Sequence, residues 1–294
     1  MLMIGLQVKN NKPIISVMMN GLNSAKYLGK AIDSVYAQSF TDWEIIFWDN
    51  DSDDESINIA ESYDSKIKIF KSKITVNLGQ ARYDAVKQAS GEYLAFLDCD
   101  DVWLEKHLET QLKIFQEGDN NLGMVYGRSR IVNNNLEKQG FYPKSEQSLH
   151  EGDIYKKLCK GNFIPFVSSM VSREKYFECG EFPKAFKHST DYYLFLNISK
   201  KYKVKASSEI NSIYRIHDNN LTHSNRILAA EESIKVVSHF LPDLFAKKGL
   251  RFQYLNLAVA YFRDRRFYDS LRIILSNNLS IMALKRFLKF FTSN

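Results

Sequence analysis

The stretch NLGQARYDAVKQASGEYLAFLDCDDVW, residues 77–103, predicts a helix, a buried strand and an acidic strand end in direct succession. Residues 78–89 have apolar side chains at helical spacing, and Gly91 stands where the C-terminal cap of a helix belongs. The apolar run YLAFL, residues 93–97, has the length of a buried strand. It leads directly into the tetrapeptide DCDD, residues 98–101, so the strand is expected to end in carboxylates.

Strand and helix patterns alternate on both sides of this stretch, from Pro13 to about residue 122. Such alternation indicates βαβ units and therefore an α/β fold with a mainly parallel sheet. Ligands of these sheets bind beyond the carboxyl ends of the strands. We therefore expect functional residues just after Met19, Trp48 and Leu97, where three of the predicted strands end.

The composition is that of a globular protein. Of the 294 residues, 45% are hydrophobic and 25% are charged, and no apolar run approaches the roughly 20 residues of a membrane-spanning helix. The net charge of +6 is compatible with an anionic partner but does not identify one. Cys99, Cys159 and Cys179 form no CxxC pair, which argues against a zinc site or a disulfide framework and favours a reducing, cytoplasmic setting.

The pattern changes towards the C-terminus. Residues 123–224 are less regular than the preceding part, and helical patterns dominate from residue 227 onward. We predict one domain over residues 1–226 and a helical C-terminal extension over residues 227–294. Two apolar stripes predict a helical hairpin in the extension, with Leu255, Ala258, Val259 and Phe262 in one and Leu271, Ile274 and Leu275 in the other.

The C-terminal segment, residues 280–291, combines apolar side chains with Lys285, Arg286 and Lys289. A basic amphipathic helix of this kind can lie on an anionic membrane. In that case the protein would be peripheral on the inner face of the membrane. The alternative is a helix that packs on the preceding hairpin, and we favour it slightly.

Asp98 and Asp100 form the sharpest local feature of the sequence. Side chains two residues apart in an extended segment point the same way, so both carboxylates can face one site. Converging carboxylates repel each other unless a positive group lies between them, and a hard divalent cation suits that position. Such a cation can also bind a substrate diphosphate. The alternative is an acidic surface turn before the helix that begins near Trp103.

A second acidic loop, DNDSDD at residues 49–54, follows the strand that ends at Trp48. It is not a calcium loop, because its sixth position is Asp54 instead of Gly and its twelfth is Ala60 instead of Glu. We expect that one of its carboxylates accepts a hydrogen bond from a ligand N–H. An Asx turn with a helix cap is the alternative for these residues.

Arg82 lies in the first turns of the helix predicted over residues 78–89. An Arg fork suits a phosphate, and an ordinary surface Arg is the alternative. The chain has no GxGxxG after a strand, no GxxxxGK[ST] and no GxSxG, which disfavours dinucleotide oxidoreductases, P-loop NTPases and α/β-hydrolases. Nucleic-acid binding is disfavoured because the strand ends of the N-terminal half are acidic.

Taken in order, these pieces resemble the inverting family 2 glycosyltransferases, which have the GT-A fold. The stretch IISVMMNGLNSAKYLGKAIDSVYAQSFTDWEIIFWDNDSDDES resembles the family's opening strand, helix and nucleotide-binding turn. NLGQARYDAVKQASGEYLAFLDCDDVW resembles its run into the DxD motif. The resemblance covers about residues 13–225 and implies a GT-A-like, mixed but mostly parallel sheet flanked by helices.

The resemblance assigns roles to residues at the donor side. It implies that Asp49 contacts the base of a nucleotide-sugar donor and that the backbone around Met19 and Gly21 lines the base pocket. Arg82 would lie near the nucleotide, and Asp98, the first DxD carboxylate, near the ribose.

The resemblance also assigns the cation and the general base. It implies that Asp100 ligates Mn²⁺ or Mg²⁺. Arg215 and His217, in the segment YRIH, would belong to a loop that closes over the diphosphate together with residues 222–224 and contacts the leaving group or the cation. Asp191, in the segment TDY, occupies the place of the general base, although an N-cap of the following helix is the alternative. Thr190 stands where the family has Glu.

The implied activity is transfer of a sugar, with inversion, from a UDP-sugar to a hydroxyl of a glycan or lipid-linked acceptor. Polysaccharide biosynthesis would be the setting. Two other functions stay open at this point, a non-catalytic nucleotide- or glycan-binding module on the same fold and a nucleotidyltransferase. The Gly-rich phosphate loop typical of nucleotidyltransferases is absent, since residues 18–24 contain only Gly21.

Overall fold

The structure, a computed structural model, describes residues 12–135, 137–144, 147–218, 220 and 225–279. Strands and helices alternate in its N-terminal half, and helices cover both faces of a central sheet. This confirms the predicted α/β class with a mixed, mostly parallel sheet.

The central sheet has seven strands within the described residues. All of them run parallel except β9, which lies antiparallel between β4 and β6. In sheet order the strands are β10 (Lys203–Ala206), β6 (Leu122–Tyr126), β9 (Met170–Ser172), β4 (Tyr93–Phe96), β1 (Ile15–Gly21), β2 (Trp43–Asp49) and β3 (Ile67–Lys71).

The register of the parallel strands brings their carboxyl ends together. Gly21 at the end of β1 is opposite Asp49 at the end of β2, and Met18 on β1 is opposite Phe96 at the end of β4. The acidic loops after β2 and β4 therefore flank the end of β1, as expected for a site at the carboxyl edge of a parallel sheet.

Ten α-helices lie in the described part of the chain. They are α1 (Ala25–Tyr36), α2 (Ser56–Glu61), α3 (Leu78–Gln88), α4 (His107–Gln116), α5 (Tyr155–Leu158), α6 (Arg173–Cys179), α7 (Thr190–Lys201), α8 (Arg226–Ser238), α9 (Leu244–Arg263) and α10 (Phe267–Ser276).

The alternation of side chains along the strands creates two apolar cores, one on each face of the sheet. On β1, Val17 and Met19 join the core that contains α1 residues such as Leu28 and Ile32. Met18, between them, joins the core on the opposite face, which α3 and α7 cover. Burial on both faces explains why the strands of this sheet are short continuous apolar runs.

A second, four-stranded sheet was not predicted from the sequence. Its order is β5 (Val102–Trp103), β11 (Ser212–Arg215), β7 (Ser129–Val132) and β8 (Lys138–Tyr142). β5 has two residues and β8 is largely exposed, so neither has a clear apolar pattern. Before β9, which belongs to the central sheet, the chain forms a 3₁₀ turn (Phe166–Ser168).

The predicted helical hairpin is present as α9 and α10. Leu255, Ala258, Val259 and Ile274 form its small apolar core. Phe262, Leu271 and Leu275, which the stripes also included, are exposed instead. The basic segment 280–291 lies outside the described residues. In the part of the chain that the structure does describe, no helix combines the length and the apolar character needed to cross a membrane.

Glu232 on α8 fixes the chain just before α7. Its buried carboxylate accepts hydrogen bonds from the backbone N–H groups of Lys187 at 2.8 Å, His188 at 2.7 Å and Ser189 at 3.0 Å. A carboxylate is a favourable partner here, because three backbone N–H donors converge on it and the N-terminal end of the adjacent helix carries a partial positive charge. Glu232 on α8 therefore holds the segment that leads into α7.

Glu232→Gln should destabilise the protein, because the amide NH₂ group would face backbone N–H donors. We expect the free energy of unfolding, measured by urea denaturation, to fall by about 3 kcal/mol, in the range of lost hydrogen bonds to a buried charged group. Glu231→Gln is the matched control: Glu231 accepts a hydrogen bond only from the Tyr261 hydroxyl, at 3.2 Å, among the contacts described, and its loss should cost less than about 1 kcal/mol. Equal effects of the two substitutions would show that Glu232 does not fix the segment before α7.

His107 at the start of α4 should make stability depend on pH. Its ring is buried and stacks on Trp103, with ring centroids 4.3 Å apart. Burial lowers the pKa of His107 from 6.5 to about 3. Below pH 6.5 the unfolded chain therefore takes up a proton that the folded protein refuses, and stability is lost as the pH falls towards 3.

The expected loss from His107 is about 1.4 kcal/mol per pH unit below 6.5. Urea denaturation of the wild type and His107→Gln at pH 7.0 and 5.5 measures it, because the carboxylates common to both proteins cancel in the comparison. The variant should be less stable at pH 7.0 but lose less stability on acidification. Parallel losses in the two proteins would show that His107 is not the group that titrates.

Candidate active site

Arg82 links the acidic end of β4 to the start of α7. From α3, its Nη2 donates to Asp98 Oδ1 at 2.9 Å, and its Nη1 donates to Thr190 Oγ1 at 2.6 Å. The guanidinium lies over the Phe166 ring, 3.8 Å from its centroid, and the side chain is buried. Arg82 is therefore not the surface Arg of the alternative interpretation. It supplies the positive charge beside Asp98 that the sequence led us to expect from a cation.

Burial raises the pKa of Asp98 to about 6. The negative charges of Asp100 and Asp191 add to this increase, and the positive charge of Arg82 opposes it. Asp98 and Asp100 at the end of β4 therefore lie close enough to Asp191 at the start of α7 for their negative charges to repel. This is the convergence of charge that the sequence predicted for the end of β4.

Asp100 contacts the segment after β11. Its Oδ2 lies 2.8 Å from His217 Nε2 and accepts a hydrogen bond from Asn220 Nδ2 at 3.1 Å. His217 also packs against the Tyr27 ring of α1, with centroids 5.1 Å apart. The structure therefore brings Asp100 and His217 together, the two residues that the resemblance associates with a cation. Residues 222–224, predicted to close over the diphosphate, lie outside the described residues.

Arg215 is buried beneath this pair. Its Nε donates to the carbonyl oxygen of Asp100 at 2.8 Å, and its backbone N–H donates to Asp101 Oδ1 at 2.8 Å. Its guanidinium lies 4.8 Å from the Tyr27 ring centroid. Burial raises the pKa of Asp101 well above its usual range, and the charges of Asp100 and Asp98 act in the same direction. Arg215 is only 1% exposed and fixes the acidic loop after β4 from its buried side, through Asp100 and Asp101.

Asp49 is fully buried at the end of β2. Its Oδ2 accepts a hydrogen bond from the Ser52 N–H at 3.0 Å, whereas Oδ1 has no partner among the described residues. Asn20 Nδ2, near the end of β1, is likewise buried without a partner in this part of the structure. Unsatisfied buried polar atoms are rare and costly, so a buried acceptor and a buried donor at adjacent strand ends indicate a ligand-binding position.

Met19 and Gly21 contribute backbone rather than side chains to this edge. The Met19 side chain is fully buried in the core. The Gly21 carbonyl accepts a hydrogen bond from the Asn50 N–H at 2.8 Å. A Cβ at Gly21 would lie 3.0 Å from the Phe47 ring and from Ser24 Oγ, so the glycine allows close packing there. Asp51 has φ +73°, a left-handed conformation that Asp tolerates better than most residues other than Gly.

Asp191 lies in the first turn of α7, beside the Arg82–Asp98 pair. Its Oδ2 accepts a hydrogen bond from Asn162 Nδ2 at 2.9 Å. The Tyr142 hydroxyl donates to the Asn162 carbonyl at 3.0 Å, which fixes Asn162 in turn. Burial raises the pKa of Asp191, and the charge of Arg82 opposes that increase. Its carboxylate is therefore held in place by a side chain instead of serving as an N-cap, since no side chain caps α7.

The residues present fit a cation that is bound together with its substrate. Asp100 and His217 offer an oxygen and a nitrogen atom, both of which Mn²⁺ accepts. Within the described residues, no group of three or more His, Cys, Asp and Glu side chains could hold a metal ion. Two protein ligands suit Mg²⁺ or Mn²⁺ that completes its coordination with substrate phosphates and water.

Sequence reasoning missed four residues that shape this site: Asn20, Asn162, Thr190 as the partner of Arg82, and Glu232. Asn20 alone had a local signal, because it is a polar residue within the apolar run of β1. The other three act across long separations in the chain, between 29 and 108 residues for the contacts of Asn162 and Thr190.

Comparison with known proteins identifies the family. The model of the glycosyl transferase family 2 matches residues 16–180, more than half of the chain. A relative from Escherichia coli, "UDP-Glc:alpha-D-GlcNAc-diphosphoundecaprenol beta-1,3-glucosyltransferase WfgD", is 28% identical over 249 residues, which make up 84% of this chain and 94% of that protein.

Two solved structures share the fold. TarS from S. aureus, crystallised with UDP-GlcNAc, has 17% identity and a TM-score of 0.61 over 85% of this chain and 72% of that chain. The mannosyltransferase PcManGT from Pyrobaculum calidifontis, in complex with GDP-Man and Mn²⁺, has 15% identity and a TM-score of 0.62 over 96% of this chain and 80% of that chain.

These similarities confirm the resemblance drawn from the sequence and the GT-A architecture. The matched residues include Asp49, Arg82, Asp98 and Asp100, whereas Asp191 follows the matched range. The chain belongs to glycosyl transferase family 2 and is a glycosyltransferase.

Proposed function

We propose that this glycosyltransferase transfers a sugar, with inversion, from a UDP-sugar to a hydroxyl group of a glycan or lipid-linked acceptor. One observation carries the proposal. Arg82 bonds Asp98, at the end of β4, and Thr190, the neighbour of Asp191, so the donor-side carboxylate and the candidate base flank one guanidinium.

The donor side supports a uridine nucleotide. Asp49 Oδ1 is a buried acceptor without a partner in the described structure, and the imide N–H of uracil is a donor that such an oxygen would bind. Met19 and Gly21 would line the base pocket through their backbone. The name of the WfgD relative specifies UDP-Glc, and TarS binds UDP-GlcNAc, which also favours UDP. Asp98 would lie near the ribose, with Arg82 compensating its charge.

Asp100 and His217 would hold Mn²⁺ or Mg²⁺, and Mn²⁺ accompanies GDP-Man in the PcManGT structure. When bound, the cation would offset the negative charge on the diphosphate leaving group. Arg215 would support this part of the site through the carbonyl of Asp100 and through Asp101. In this proposal Arg215 positions the acidic loop and need not contact the diphosphate itself.

Asp191 would act as the general base. Its carboxylate removes the proton from the acceptor hydroxyl, and that oxygen forms a bond to the anomeric carbon. The bond from the anomeric carbon to the diphosphate oxygen breaks in the same step, and UDP leaves with the bonding electrons. Attack from the opposite side inverts the anomeric centre. Asn162 orients the carboxylate, and the raised pKa of Asp191 makes it a stronger base than an exposed Asp.

The acceptor is expected to be lipid-linked, because the WfgD relative is named for a diphosphoundecaprenol acceptor. The proposal includes a cytoplasmic location and peripheral contact with the inner face of the membrane, for which the sequence offers the basic segment 280–291. It includes no nucleic-acid partner. The division into a catalytic domain over residues 1–226 and an extension over residues 227–294 is also part of the proposal, with Glu232 joining the two parts.

We expect UDP to raise the melting temperature of the protein, and to raise it further when Mn²⁺ is present. Asp49→Ala should weaken UDP binding at least tenfold, because a hydrogen bond to a charged group contributes about 1.5–3 kcal/mol. Isothermal titration with UDP and GDP measures the affinities. Asp53→Ala, an exposed residue of the same loop, should leave the affinity unchanged. Equal binding of UDP and GDP, or an unaffected Asp49→Ala variant, would contradict the proposed base contact.

Asp191→Asn should lower kcat for transfer by about 10²–10⁴-fold, the usual contribution of a general base. The variant can still accept the hydrogen bond from Asn162, so UDP binding should not change. The assay follows labelled glucose from UDP-Glc to a synthetic GlcNAc-diphosphate lipid with Mn²⁺ present. The control is Asp119→Asn, which changes an exposed carboxylate in the turn before β6. Transfer at the wild-type rate by Asp191→Asn would show that another group takes the proton.

A further inference from the structure

One surface of the molecule exposes large apolar side chains beside a cluster of cations. It is formed by α5 with the residues just after it, and by the start of α9 with Leu241 before it. Leu244 is 58% exposed, Phe252 40% and Phe245 38%, unusual values for such large apolar side chains. We call this surface, with Leu241, Leu244, Phe245, Phe252, Lys156 and Lys160, the α5–α9 face.

The exposed apolar residues follow helical spacing. Leu244, Phe245 and Phe252 stand at positions i, i+1 and i+8 of α9, which places them within about 100° of one another around the helix axis, and the exposed Leu241 precedes the helix. An apolar stripe on the outside of a packed helix has no partner within the described chain. Such a stripe commonly marks a surface that binds another body.

The charge around the stripe is mainly positive, and Asp243, whose side chain caps α9, is the acidic residue between Leu241 and Leu244. Residues 155–160 and 244–252 contain six Lys and Arg residues, all of them exposed, and no Asp or Glu. They are Lys156, Lys157, Lys160, Lys247, Lys248 and Arg251. The ammonium groups of Lys156 and Lys160 each lie 5.4 Å from the ring centroid of an exposed Phe, Phe245 and Phe252 respectively. Cations and exposed aromatic rings therefore alternate across the face.

Close packing holds the two elements of this face together. A Cβ at Gly249 would lie 2.3 Å from the Cys159 carbonyl oxygen, so α9 approaches the backbone after α5 as closely as only glycine allows. Gln253 Nε2 donates to the same carbonyl at 3.2 Å and contacts the Tyr192 hydroxyl on α7 at 3.1 Å. The exposed rings and cations are thus presented on a rigid platform that is continuous with α7.

We propose that the α5–α9 face binds the surface of an anionic lipid bilayer. Exposed Phe and Leu side chains can enter the boundary between headgroups and acyl chains, while each nearby Lys or Arg is attracted to an anionic surface. An acidic protein would match the cations but would leave the apolar stripe in water. This face is distinct from the basic segment 280–291, and the proposal assigns the main membrane contact to α9.

The face lies next to the acceptor side of the site. Lys160 is two residues before Asn162, whose side chain donates to Asp191 at 2.9 Å. A bilayer on the α5–α9 face would deliver a lipid-linked acceptor to the side of the protein that carries the candidate base. This step rests on the proposed function, whereas membrane binding itself does not require it.

Co-sedimentation with vesicles tests the proposal on the full chain. The probes are neutral vesicles of phosphatidylcholine alone and anionic vesicles of phosphatidylcholine with about 40% phosphatidylglycerol. We expect binding to the anionic vesicles and little binding to the neutral ones. Binding should be weaker in about 0.5 M NaCl, where the screening length is only about 4 Å. The double substitution Phe245→Ser with Phe252→Ser should lower the partition coefficient at least tenfold.

The matched control is Phe262→Ser with Phe267→Ser. These two rings are at least as exposed as those of the stripe and contact each other, with Phe262 near the C-terminal end of α9 and Phe267 at the start of α10. Their substitution should leave vesicle binding unchanged. A second comparison, Phe287→Ser with Phe291→Ser, probes the C-terminal segment. Loss of binding in that variant alone, equal loss in the control, or wild-type binding by the stripe variant would each overturn the proposal.

UDP titration of the stripe variant separates membrane binding from catalysis. Its melting temperature and UDP affinity should equal those of the wild type, which shows that the fold and donor site are intact. If the wild type binds anionic vesicles through this face but transfers no sugar, the membrane proposal stands and the proposed function fails. If transfer occurs but the stripe variant still binds vesicles, the membrane proposal fails alone.

Discussion

Repulsion between neighbouring carboxylates is the constraint on which the arrangement of this protein depends. Asp98, Asp100 and Asp101 follow one buried strand, and Asp191 faces the same region from α7. Their charges are tolerable because each has a separate partner. Arg82 bonds Asp98, His217 and Asn220 contact Asp100, the backbone of Arg215 bonds Asp101, and Asn162 bonds Asp191. These partners come from three regions of the chain, namely α3, the residue Asn162 and the segment 215–220, so the acidic edge ties together much of the tertiary structure around it.

The sequence predicts the part of this arrangement that depends on local pattern. The stretch 77–103 contains both Arg82 and Asp98, and the spacing of its apolar residues correctly predicts α3 and β4. The alternation of strands and helices then places the acidic loops at one edge of a parallel sheet. The loop after β2 also depends on local chemistry, because its Asp51 adopts a left-handed conformation that Asp tolerates.

Contacts between distant segments could not be predicted in this way. β9 enters the sheet antiparallel, between two parallel strands, although its three residues have no distinctive pattern. The second sheet depends on pairing between strands more than 80 residues apart. Thr190 appeared only as a departure from the family, yet its hydroxyl orients Arg82 across 108 residues. Each of these features needs a partner that local periodicity cannot identify.

The bond between Glu232 and the start of α7 has a consequence for how such enzymes diversify. The match to the family model ends at residue 180, so the candidate base Asp191, the loop before it and the carboxylate that fixes this loop all lie beyond the matched residues. A chimera that exchanges the helices after residue 226 between relatives would separate Glu232 from the loop that it binds. The loop and these helices would therefore have to be exchanged together.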